Sequence, residues 1–83
     1  MKNEKRAKIL IVDDERTLCE TLSEILKEEG YEADVAFDGD EAISKIKTNK
    51  FDLIFCDLRM PRVDGLKVLE KVEEICPETC FIV

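Results

Sequence analysis

Two short, unbroken apolar runs constrain this chain most. Lys8 to Val12 reads KILIV, and Phe51 to Cys56 carries the four apolar side chains Leu53 to Cys56. Runs of this length are short enough to be strands covered on both faces, and such strands belong to parallel sheets. Both end in acid: Asp13 and Asp14 follow the first run directly, and Asp57 follows the second. The pattern predicts a helix-covered parallel sheet with carboxylates at two strand ends.

The remaining chain supplies the crossovers. Leu18, Leu22, Ile25 and Leu26 recur at helical spacing among charged residues, and Gly30 provides a stop, so the spacing predicts an amphipathic helix over Glu15 to Glu29. Tyr31 to Phe37 alternates apolar with acidic residues and reads as an edge strand with one wet face. Asp38 and Glu41 have capping-box spacing, and Ala42, Ile43 and Ile46 place a narrow apolar stripe on a helix ending at Lys47. After a loop to Asp64, Leu66, Leu69, Val72 and Ile75 mark a third helix closed by Pro77, and Thr79 to Val83 is a last apolar strand. The order β-α-β-α-β-α-β, with right-handed crossovers, is an α/β layered fold. In such sheets functional residues gather at the carboxyl ends of strands, beside the point where strand order reverses.

Composition narrows the function classes. The chain has 83 residues, 45% of them apolar and 40% charged, enough for one small domain with a thin stability margin. A formal charge of −7 repels phosphate backbones, so no direct nucleic-acid contact is expected. Residues 1–7 form a polar segment with no apolar stretch behind them that would make a signal peptide or a membrane span, and a cytoplasmic location is the default expectation. Cys19, Cys56, Cys76 and Cys80 read as small thiols in a reducing compartment, since the chain has no histidine and no Cys pair at two-residue spacing.

Three carboxylates at neighbouring strand ends would repel one another unless one stayed protonated or a hard cation neutralised them. Oxygen-only ligands with room for water suit Mg2+. Each acid also has an ordinary alternative: Asp13 or Asp14 could cap the following helix, and Asp57 could begin a turn. Met60 reads as a loop anchor and Pro61 as a stiffener of the loop leaving Asp57.

The ILIVDDE start, the DLIFCDLRMPRVDG stretch and the spacing between them resemble the receiver domain of two-component response regulators. The resemblance covers residues 8–83 and implies a flavodoxin-like, doubly wound parallel sheet with strand order 2-1-3-4. It implies that Asp57 accepts a phosphoryl group from a phosphohistidine on a sensor histidine kinase, or from a small phosphodonor. It also implies that Asp13, Asp14, Asp57 and the backbone carbonyl of Arg59 hold Mg2+. Lacking histidine, the chain cannot be its own phosphohistidine donor.

Members of that family carry a serine or threonine at the fourth strand end and a lysine after the fifth strand. This chain reaches only Val83, so it is expected to correspond to about the first two thirds of such a domain, an estimate from counting β/α units. Mg2+ binding is expected to survive, phosphorylation to be slow or absent, and the exposed edge of the fourth strand to promote self-association. Thr79 opens that strand and cannot stand in for the missing hydroxyl. Two other classes remain in view. One is a non-phosphorylatable assembly unit; the other is a Mg2+-dependent phosphohydrolase with an aspartate nucleophile, disfavoured because Asp13 and Asp14 are adjacent and not spaced Asp-x-Asp.

Overall fold

The computed structural model describes residues 6–56, 65–75 and 79–82, with side chains for all of these but 65, 66 and 80–82. The elements are β1 (Lys8–Val12), α1 (Arg16–Glu28), β2 (Glu32–Ala36), α2 (Gly39–Thr48), β3 (Leu53–Cys56), α3 (Gly65–Ile75) and β4 (Cys80–Ile82). The strands pair in parallel in the order β2-β1-β3-β4, which is the expected order. Strand order therefore reverses at β1, whose neighbours lie on opposite sides.

Helix α1 covers one face of the sheet and α2 and α3 cover the other. On the α2/α3 face, Leu10, Val12, Ala36, Ile54 and Cys56 pack with Ala42, Ile46, Phe51, Val68 and Val72. On the α1 face, Ile9, Ile11 and Cys19 form a smaller core, with Leu22, Leu26, Val35, Phe37 and Leu53 packed against it. Burial on both sides explains why KILIV carries no polar alternation.

Helix ends follow the local chemistry. Gly30 adopts a φ of +98°, and the Tyr31 and Gly30 N–H groups donate to the Leu26 and Lys27 carbonyls, closing α1 in a Schellman turn that favours glycine. At α2, Asp38 Oδ1 accepts from the Glu41 N–H (2.8 Å) and Glu41 Oε1 accepts from the Phe37 N–H (2.9 Å). This is the expected capping box, with its return bond taken one residue earlier; such a cap contributes about 1 kcal/mol.

Four details depart from the sequence expectation. The side of α1 that meets the sheet centres on Cys19 and Ser23, at 0% and 8% exposure, whereas Leu18 and Ile25 are 41% and 49% exposed. Small side chains there let the helix axis approach the strands. In α3 the buried pair is Val68 and Val72, and Ile75 is exposed. Strand β3 is not covered on both faces, because Phe55 points to the α1 side and is 45% exposed. The wet face expected on β2 is partly closed: Ala36 is buried, and Lys45 of α2 donates to Asp34 Oδ1 (2.9 Å) and the Val35 carbonyl (2.7 Å).

Burial works against the charged form of Asp34, but hydrogen bonds from Lys45 and the Val35 N–H, with the charges of Lys45 and Lys8, outweigh it and hold the carboxyl below its ordinary 3.8. A depressed folded-state value stabilises the fold above the unfolded value and loses that contribution as pH falls through the folded one. Acid unfolding of the wild type should therefore be steeper below about pH 4 than that of Lys45→Met, whose Asp34 lacks its partner. Chemical denaturation at a series of pH values checks this, and parallel stability curves for the two proteins would contradict it.

The amino end of the sheet is tied separately. The Lys8 N–H donates to Asp52 Oδ2 (2.8 Å), the Asp52 N–H donates to the Lys8 carbonyl (2.8 Å), and the buried Thr79 hydroxyl donates to the Phe51 carbonyl (2.8 Å). Leu53 pairs with Cys80, so Thr79 lies at the end away from the acids, as expected.

Candidate functional site

The acidic pair emerges where β1 ends. Val12 pairs with Ala36 on one side and with Cys56 on the other, so the residue after Val12 leaves the sheet between two strands at the reversal point. Asp13 is half-buried and Asp14 exposed. Asp57 and Arg59, the other expected site residues, lie outside the described residues, as do Met60 and Pro61.

Asp13 is held at three points. Its N–H donates to the Ala36 carbonyl (3.1 Å), its Oδ1 accepts from the Glu15 N–H (3.0 Å), and its carbonyl accepts from Cys19 Sγ (3.3 Å). The helix cap foreseen for Asp13 or Asp14 is not formed, because Glu15 is the N-cap residue of α1 and has no side-chain cap bond; Asp13 instead stabilises the turn that leads into the helix. One such bond leaves a carboxylate with further acceptor capacity, so turn-making and metal binding are compatible. Arg16, in the first turn of α1, places its guanidinium 4.2 Å from the centre of the Phe37 ring. That contact brings one positive charge to the same end of the sheet.

Cys19 was legible as a buried thiol but not as a neighbour of the site. Its thiol is pushed up to about 11, chiefly by burial and then by the charge of Asp13, so it stays protonated and can donate. Cys56 is a second buried thiol, the last residue of β3 before Asp57.

The donor set fits a hard cation in kind: two adjacent carboxylates, one anchored and one exposed, with no soft ligand between them. Among the described residues no group of three or more His, Cys, Asp or Glu side chains is arranged to hold a metal ion. Two surface grooves lie elsewhere. One, of about 410 Å3, is lined by Ile43 of α2 and by Lys67, Glu70, Lys71 and Glu74 of α3. The other, of about 390 Å3, involves Arg6, Lys27 and Tyr31. Among the described residues, no helix is long and apolar enough to cross a membrane.

Comparison with known proteins agrees with this geometry. Residues 9–83 match the family model for the response regulator receiver domain. The chain belongs to that family, and its flavodoxin-like parallel sheet is the family's fold. It is similar to the transcriptional regulatory protein DltR of Streptococcus agalactiae, with 39% identity over 75 residues, 90% of this chain and 34% of DltR. It thus spans about a third of that relative's length. Among solved structures it resembles the response regulator TrrA of Thermotoga maritima in complex with Mg(2+)-BeF, with a TM-score of 0.83 and 39% identity, covering 93% of this chain and 67% of that one. TrrA has also been solved in complex with the histidine kinase ThkA; there the TM-score is 0.80 at 39% identity, covering 90% of this chain and 65% of the matched chain.

Proposed function

We propose that this chain accepts a phosphoryl group on Asp57 within a two-component phosphorelay, with Mg2+ held by Asp13, Asp14, Asp57 and the backbone carbonyl of Arg59. The observation that carries the reading is the register of Val12 with Cys56. The next residue after each of these paired strand ends is an acid, in adjacent strands at the reversal point. The Mg(2+)-BeF complex of TrrA supports the metal, and its complex with ThkA supports a histidine kinase as donor.

In this reading a carboxylate oxygen of Asp57 attacks phosphorus and the P–N bond of the donor phosphohistidine breaks. The electron pair stays on the imidazole nitrogen. Mg2+, when bound, supplies the charge neutralisation between phosphoryl oxygens and acids on which such a transfer depends. Asp13 presents its carboxylate from an anchored turn, and Asp14 adds a second from the exposed side. The chain acts as an acceptor and not as a turnover enzyme, and family membership favours this over the phosphohydrolase reading. A cytoplasmic setting suits Cys19 and Cys56 as thiols.

Incubation with acetyl phosphate, with and without Mg2+, tests the proposal by intact mass. A slow, Mg2+-dependent gain of one phosphoryl group is expected. No labelling at any Mg2+ concentration would leave the non-phosphorylatable assembly unit as the better reading.

We also infer that the 83-residue chain self-associates. Strand β4 pairs with β3 on one side and with no described strand on the other, and Phe55 of β3 is exposed nearby. A strand edge with no partner among the described residues, beside apolar surface, is a template for a second copy. Light scattering at micromolar concentration should show a species larger than a monomer, and a purely monomeric solution would overturn the inference.

A further inference from the structure

We propose that Cys19 is a positioning residue for the acidic pair: its buried thiol, bonded to the Asp13 carbonyl, holds the β1–α1 turn in the shape that presents Asp13 and Asp14 at the carboxyl end of the sheet. The consequence for metal affinity rests on the reading that these acids hold Mg2+. Cys19 is 0% exposed and is where α1 seats on the sheet beside Ile9 and Ile11. Its Sγ lies 3.3 Å from the Asp13 oxygen, six residues back in the chain, so the bond spans the whole turn. The Asp13 N–H is fixed to Ala36 and the Asp13 carboxylate to the Glu15 N–H. The thiol closes the remaining side of the same residue, making a peptide held from β2 and from α1 at once. Groups that orient metal ligands from behind commonly govern affinity without touching the ion.

The role differs from simple packing, which any small apolar residue could fill. Cys19→Ala removes the donor, Cys19→Ser keeps a donor on a shorter reach, and Leu22→Ala weakens the seating of α1 without touching Asp13. Mg2+ affinity is read by isothermal titration, and the Glu15 and Arg16 amides are read by metal-free hydrogen exchange. Cys19→Ala is expected to bind Mg2+ about threefold to tenfold more weakly, the fold-change of one lost hydrogen bond, and to exchange faster at Glu15. Cys19→Ser should return affinity to within about twofold of wild type, and Leu22→Ala should lower thermal stability while leaving affinity unchanged.

Unchanged affinity and unchanged Glu15 exchange in Cys19→Ala would overturn the proposal. So would an equal loss of affinity in Leu22→Ala at matched loss of stability. Should Cys19→Ala fail to fold, Cys19→Val, which fills the space without a donor, replaces it. If wild type binds no Mg2+, the metal reading fails on its own, and Glu15 exchange alone decides whether Cys19 holds the turn.

Discussion

Asp57→Asn is expected to abolish phosphoryl incorporation from acetyl phosphate altogether, leaving one unmodified mass with or without Mg2+. The amide keeps the shape of the side chain but offers no anionic oxygen to attack phosphorus, so the acyl phosphate has no acceptor. Asp13→Asn and Asp14→Asn should slow labelling and raise the Mg2+ concentration it needs, because each removes one charge from the ligand set. The informative control is Asp52→Asn. Asp52 is an exposed acid just before β3, but it lies at the amino end of the sheet, bonded to Lys8. Its variant should label like wild type. Labelling that persists in Asp57→Asn, or disappears in Asp52→Asn, would place the acceptor elsewhere.

Leu10→Ala should cost the fold most. Leu10 is 0% exposed in the central strand, in one core with Val12, Ala36, Ile46 and Ile54. Truncating such a leucine costs about 3–5 kcal/mol in transfer and cavity terms. A chain of 83 residues has a total stability of about 4–12 kcal/mol, so the variant loses much of it. A fall in melting temperature of about 12 °C or more is expected by circular dichroism. Ile25→Ala, at a position 49% exposed, should shift it by only a few degrees. Similar melting temperatures for the two variants would contradict the assignment of the core.

Much of the architecture was legible because it depends on local chemistry. KILIV read as a strand covered on both faces and is one, Asp38 and Glu41 announced their cap, and Gly30 supplied the left-handed residue that ends α1. Legibility failed where contact depends on how elements lie across one another. The apolar stripe of α1 ran through Leu18, Leu22, Ile25 and Leu26, and Leu22 and Leu26 do pack on the core. Leu18 and Ile25 are exposed, however, and the most buried positions are Cys19 and Ser23, since close approach favours small side chains over large ones. Ala36 and Val68 are buried for the same reason: position on the covered side decides, not hydropathy alone. Phe55 shows the converse, an aromatic left exposed on the α1 side of β3, because α1 lies chiefly over β1 and β2.

For the site, the sequence by itself determined which acids stand at strand ends and which family they resemble, because backbone period and residue type are written along the chain. The resemblance also implied that β1 lies between β2 and β3, and only the tertiary structure decided the register that sets Val12 beside both Ala36 and Cys56. It also decided that Asp13 is anchored from two elements while Asp14 stays exposed. Those facts depend on strand register and helix seating, which arise from packing across the sheet and leave no periodic trace in the chain.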